Sequence, residues 1–145
     1  MKSISEGGFL ITKIHHLSSK IFSKKLEEYG IEIGPGLGRV IFALWQEDGI
    51  AISDLSDRTS LGKSTLTDSL DRLADANLVT REKHPTDRRS VLIHLTEKAR
   101  NLHDKYIKVS MEMTDLFYAG FSQGEIKIFE GYLKRLLSNL SDSIT

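Results

Sequence analysis

The chain has 145 residues, enough to bury a core in one domain without cross-links. It contains no cysteine, which excludes disulfides, thiolate nucleophiles, cysteine-based zinc sites and thiol redox switches. Twenty Lys and Arg balance 20 Asp and Glu, so simple coating of nucleic acid is disfavoured, while a specific binder with its charge sorted by surface stays open.

No run of about 18 apolar residues occurs, so no membrane span is expected. The first residues lack a basic-then-apolar signal pattern, and a cytoplasmic protein is the expectation.

In chain order, Leu10, Ile14, Leu17, Ile21, Leu26 and Tyr29 recur at helical spacing and predict a helix over 9–29, with Gly30 as its C-cap. A break follows at 33–38, where Pro35 suits the first turn of the next helix. That helix carries Leu37, Val40, Ile41, Leu44 and Trp45 and stops near Asp48 and Gly49. Gly36 and Gly38 at its start each cost about 1 kcal/mol relative to alanine, so either the start frays or something packs against the backbone there.

Ser53 is a plausible N-cap for a short helix over 54–59. Ser60, Leu61 and Gly62 form a turn. A second helix over 63–77 turns Leu66, Leu70, Leu73 and Ala74 inward, leaving Ser64, Thr65, Thr67, Asp68, Asp71 and Arg72 nearer the outer face. Asn77 ends it in the left-handed region.

Two β-like runs, 78–83 and 91–96, then flank the basic turn Pro85-Thr86-Asp87-Arg88-Arg89-Ser90. Thr96 caps a long helix with a heptad-like seam of Ala99, Leu102, Tyr106, Val109, Met113 and Leu116. Ala119 and Gly120 close it. Ser122 and Glu125 form a capping box for the last helix, which shows Ile126, Phe129, Leu133, Leu136 and Leu140.

A helix-turn-helix followed by a basic-tipped hairpin describes a winged helix. The outer face of 63–77 offers hydroxyls and charges short enough for base edges in a major groove. Arginine at the hairpin tip suits a narrow minor groove, and Asp87 is close enough to hold a guanidinium in a fixed fork. A helical hairpin with a solvated polar face is the plainer reading of the helices alone.

Asp54-Leu55-Ser56 through Arg81, then Asp87-Arg88-Arg89-Ser90-Val91-Leu92-Ile93-His94-Leu95-Thr96-Glu97-Lys98-Ala99-Arg100, resemble the MarR family of transcriptional regulators. The hallmark of that family is an Asp-x-Arg wing leading into a strand that ends Leu-Thr-x-x-Gly/Ala. Asp87 and Arg89 fill the pattern, and Leu95-Thr96-Glu97-Lys98-Ala99 follows in register. Leu70-Asp71-Arg72-Leu73 and Leu78-Val79-Thr80-Arg81 match the recognition helix and first wing strand.

The resemblance covers nearly the whole chain. It implies a mainly α fold with a small β hairpin, in one domain over 1–145. A winged helix-turn-helix lobe at 34–96 would sit between dimerisation helices at 9–30 and 97–142. It implies a homodimer on double-stranded, pseudo-palindromic DNA, acting as a repressor released by a ligand. Lys63, Ser64, Thr65, Thr67, Asp68 and Arg72 would face the major groove. Arg89, held by Asp87, would enter the minor groove, with Arg88 as a phosphate or alternate contact.

Asp68 departs from a family that often carries a basic or neutral polar residue near that position. A carboxylate there repels phosphate but accepts from cytosine N4. Asp71 is expected to pair with Arg72 or Arg81.

Relatives bind aromatic acids, and His15, His16, Arg39, Trp45 and Tyr106 are the candidate lining groups for a small aromatic or anionic effector. The plainer reading makes Trp45 and Tyr106 core. The histidines lack metal-ligand spacing within one helix, so no metal or other cofactor is expected. Without a thiol, a phosphate loop or a ligand cluster, no enzyme is expected. The rival is a helical-stalk protein-interaction module whose winged helix does not bind DNA, favoured by the near-neutral head and Asp68.

Overall fold

The computed structural model describes residues 4–34 and 36–144. Pro35, expected in the first turn of the second helix, lies outside them. The order is α1 Gly7–Glu28, α2 Gly38–Gln46, β1 Ile50–Ala51, α3 Ile52–Thr59, α4 Lys63–Asp75, β2 Val79–Lys83, β3 Val91–Leu95, α5 Glu97–Phe117 and α6 Gln123–Ser143. The fold is mainly α with a small antiparallel sheet, as the sequence predicts. Two compact units divide it, the first reaching Ser110 and the second beginning at Met111.

In the first unit, Val40, Ile41, Leu44, Leu55, Leu66, Leu70, Leu73, Leu78, Ile93 and Val109 are fully buried. Apart from Leu78, which directly precedes β2, they lie on α2, α3, α4, α5 and the sheet. Each such burial stabilises by about 1.5–3 kcal/mol against leaving the side chain in water. Helix α4 and the hairpin are therefore fixed to one core. Leu66, Leu70 and Leu73 anchor α4, and Ile93 anchors the middle strand of the sheet order β1-β3-β2. Register pairs Arg81 with Ile93 and Lys83 with Val91 across the hairpin, and Ile50 with Ile93 on the other side.

Of the two glycines, Gly36 takes a positive φ of 80° with open space around it, and only Gly38 resolves as close packing. Helix α2 starts at Gly38, where an added Cβ would overlap the Tyr106 hydroxyl. Tyr106 is itself held by edge contacts with Phe22 and a tilted contact with Trp45.

Ser53 is not the cap of α3. The helix starts at Ile52 with Ala51 in extended backbone as its cap residue, because Ile50 and Ala51 pair as a strand with Ile93 and Leu92. Ser53 is one residue inside. Ser60 ends α3 in the left-handed region, and α4 opens at Lys63 after Gly62. Its regular turns finish at Asp75, two residues short of 77, and Asn77 takes the left-handed conformation expected of it. The end is held from outside: Lys98 Nζ donates to the Ala76 carbonyl at 3.0 Å, and Thr96 Oγ1 to the Asn77 carbonyl at 2.7 Å. Thr96 also caps α5, accepting from the Ala99 N–H.

In the second unit the capping box closes as predicted. Ser122 Oγ accepts from the Glu125 N–H, and Glu125 Oε1 accepts from the Ser122 N–H. The backbone N–H of Ser122 holds the Glu125 carboxyl below its ordinary value. Tyr118, Phe121 and Phe129 form edge and tilted ring contacts there.

Candidate nucleic-acid interface

Four of the 13 residues of α4 are buried: Leu66, Ser69, Leu70 and Leu73. At 100° per residue they define one side, and Ser64, Asp68, Asp71 and Asp75 fall opposite. Lys63, Ser64, Thr67, Asp68 and Asp71 line a single shallow depression on that exposed side. Thr67 spends its hydroxyl hydrogen on the Lys63 carbonyl at 2.8 Å, so toward a ligand it offers an acceptor. Asp71 is neutralised by Arg81 on β2, with 2.5 Å between Nη2 and Oδ1. Of its two expected partners, Arg81 is the one used. Arg72 lies with its guanidinium beside Gly34, close enough that a Cβ on Gly34 would sit 3.0 Å from Nη2. Thr65 is exposed on the flank of the helix.

The hairpin tip is organised by its own side chains. His84 Nδ1 accepts from the backbone N–H of Thr86 at 3.2 Å and of Asp87 at 3.1 Å. Asp87 Oδ1 accepts from the backbone N–H of Arg89 at 3.0 Å, and the Asp87 carbonyl accepts from the Ser90 N–H. The His84 N–H donates to the Ser90 carbonyl and closes the loop.

The expected guanidinium fork on Asp87 is therefore corrected. The carboxylate is used on the main chain of the turn, and both Arg88 and Arg89 are exposed. His84 is the organiser that sequence reasoning missed. Its only signal was a histidine directly before a Pro-Thr-Asp turn.

At the hairpin base, Asp48 Oδ1 accepts from the Leu95 N–H at 2.8 Å, while Arg100 Nη1 donates to the Leu95 carbonyl at 3.0 Å. His94 Nε2 lies 3.0 Å from Glu82 Oε2 without a hydrogen-bond partner among the described residues.

The helix and the hairpin meet across a cleft of about 460 Å³. Lys63 at the start of α4 and Arg89 on the wing both line it, with Ser53, Ser56, Asp87 and Ser90 between. Lys63 lines both this cleft and the depression on the exposed side of α4, and so links the wing to that side.

The five candidate effector residues are not brought together. His15 and His16 are exposed on α1. Trp45 Nε1 donates to the Ala99 carbonyl at 3.1 Å, and its ring meets His103 and Tyr106, which makes it a core residue. Burial raises the Tyr106 pKa above the ordinary value and keeps the phenol protonated. Arg39 and Tyr106 alone of the five share a hollow, of about 370 Å³, with Phe42 and Arg58. Arg39 Nη1 also donates to the Thr59 carbonyl. Among the described residues no group of three His, Asp or Glu is placed to hold a metal ion.

The three-helix lobe, its antiparallel sheet and the exposed α4-plus-hairpin surface define a winged helix-turn-helix protein. The MarR family model matches residues 35–91. The chain is 36% identical over 93 residues to the uncharacterised HTH-type transcriptional regulator YsmB of Bacillus subtilis, a match over 64% of each chain. It thus spans less than two thirds of that relative's length. A MarR transcriptional regulator from Methanosarcina mazei Go1 superposes with a TM-score of 0.79 at 27% identity, over 92% of this chain and 96% of that one. A putative MarR family regulator from Listeria monocytogenes, solved with a 26mer DNA, has the same fold: TM-score 0.85, 20% identity, 99% and 92% coverage.

Residues 35–91 thus match the MarR family's winged helix-turn-helix, and the chain is similar over most of its length to transcriptional regulators of that family.

Proposed function

We propose that the chain is a sequence-specific DNA-binding regulator of transcription that acts as a homodimer on a pseudo-palindromic operator. The observation that carries this is the shared surface of α4 and the wing, with Lys63 and Arg89 on one cleft. In this reading α4 enters a major groove through Ser64, Thr67 and Asp68, while Arg89 reaches the neighbouring minor groove. Lys63, Thr65 and Arg88 contact sugar and phosphate, and Arg72 supports α4 from the side of Gly34. The solved Listeria complex with DNA supports the same use of this fold.

Repression with release by a small aromatic or anionic acid is the finer form of the reading. Its support here narrows to Arg39 and Tyr106, which combine a cation and a ring in one hollow.

The test is a fluorescence-anisotropy titration of operator DNA selected from a random library. Arg89→Ala should lower affinity at least about tenfold while leaving the melting temperature unchanged. Unchanged affinity removes the wing from the interface. Repeating the titration across salt separates the rival protein-interaction module, because phosphate contacts make affinity fall steeply with salt. Adding a salicylate-like acid to the same titration tests release, and no change in affinity removes that effector class.

A further inference from the structure

Asp68 stands on the outermost stripe of α4 and is exposed. Among the described residues its carboxylate meets no cation, unlike Asp71 three residues on, which Arg81 neutralises. The depression around it holds no basic side chain except Lys63, at the start of the helix. The other groups there are the hydroxyls of Ser64 and Thr67, the second already committed as a donor to the Lys63 carbonyl. The middle of the exposed stripe therefore presents acceptors, and its uncompensated charge is negative.

We infer that Asp68 is a specificity-determining residue whose carboxylate selects cytosine at one position of each half-site. This rests on the DNA-binding reading above and adds to it a base and a residue.

The chemistry follows from what each base shows in the major groove. Guanine presents two acceptors, N7 and O6, and repels a carboxylate. Thymine presents the O4 acceptor and a methyl group. Adenine presents the N6 donor directly beside the N7 acceptor. Cytosine alone offers a donor, its N4 amino group, with no acceptor on the same base edge.

The same charge is unfavourable beside phosphate, so Asp68 is tolerated only when α4 is seated with its middle over the base edges. Cations lie at the periphery: Lys63 at the helix start, Arg88 and Arg89 on the wing. Asp68 then acts twice. It accepts from the right base, and it penalises both wrong bases and shallow, phosphate-only docking. Discrimination bought by repulsion has a signature that a purely structural side chain lacks: removing it tightens binding to the wrong DNA.

The experiment is selection from randomised duplex DNA with the full chain and with Asp68→Ala, Asp68→Asn and Asp68→Arg, followed by anisotropy titration on single-base variants of the selected site. Because Asp68 is exposed, the variants should fold, and circular dichroism checks that they do. The unaltered chain should enrich one C:G pair per half-site and lose about tenfold in affinity when it is replaced. In Asp68→Ala that one preference should flatten, the other positions should hold, and affinity for unrelated DNA should rise. Asp68→Arg should move the preference to guanine, whose O6 and N7 accept a guanidinium.

Two failures are distinguishable. A chain that selects no sequence at all overturns the regulator reading, and this inference with it. A chain that selects a site but keeps the same base preferences in all three variants overturns the role of Asp68 alone.

Discussion

Gly38 and Tyr106 show how one hydrogen atom in place of a side chain fixes a helix start. The Tyr106 ring is clamped between Phe22 and Trp45, so its hydroxyl cannot swing away from the Gly38 backbone. A methyl group at Gly38 would meet that oxygen first and the ring carbons next, at 3.3 Å for Cζ. Gly38→Ala should therefore destabilise the protein by about 1–3 kcal/mol, against the usual gain for alanine in a helix. Tyr106→Phe removes the oxygen and should restore much of the loss, giving a coupling of about 1 kcal/mol in a double-mutant cycle by urea denaturation. Additive effects of the two substitutions would show that the hydroxyl is not what excludes a side chain at Gly38.

At the scale of the element, the wing is a short hairpin whose ladder ends at Lys83 and Val91, leaving seven residues to be shaped without strand pairing. Two side-chain acceptors shape the basic part of it, His84 Nδ1 for the N–H groups of Thr86 and Asp87, and Asp87 Oδ1 for that of Arg89. A tip ordered before binding loses less entropy when its arginines enter a groove. His84→Phe keeps a ring but withdraws the acceptor from two N–H groups. It should weaken operator binding about tenfold, the worth of one or two hydrogen bonds, and leave the salt slope intact because every cation remains. Arg89→Ala should lower both affinity and slope, so equal slopes in the two variants would sink the distinction between shaping the wing and contacting DNA.

The hairpin, α4 and the capping box were legible in the sequence because each rests on local signals: alternation, a 3.6-residue period with Asn77 to end it, Ser122 with Glu125. The role of Asp87 was misread because spacing shows that a carboxylate is near an arginine without showing whether main chain or guanidinium receives it. The strand at Ile50 and Ala51 was too short to show a period, and only its partner β3, 40 residues on, makes it a strand. That pairing also displaced the expected cap at Ser53. The effector set is only partly gathered, into Arg39 and Tyr106, for a related reason: aromatic and cationic residues can be picked from a sequence, but whether Trp45 faces a hollow or the core depends on the Ala99 carbonyl far along the chain.

For the molecule as a whole, the unresolved balance is apolar surface. Helix α6 has no buried residue, although Leu133, Leu136, Leu137 and Leu140 lie along it. On α1, Phe9, Leu10, Ile14 and Leu17 are likewise exposed. A monomer normally leaves only patches of a few hundred Å² of contiguous apolar surface to water, and side chains of this kind are what a partner would cover. A second copy covering them supports the homodimer reading, since a stable interface needs about 800 Å² from each partner.

The consequence for DNA follows from linkage. Two wings on one dimer bind a two-fold site with the second contact made at high effective concentration, whereas separated chains bind each half-site alone. Leu137→Asp with Leu140→Asp places two charges on side chains that are 64% and 61% exposed in the single chain, so the fold of the protomer should survive. Sedimentation should then show a shift from dimer to monomer, and affinity for the full operator should fall roughly 100-fold or more. Affinity for an isolated half-site should stay unchanged. If the unaltered chain sediments as a monomer, or if the double variant stays dimeric with full operator affinity, the apolar faces of this chain serve something other than pairing.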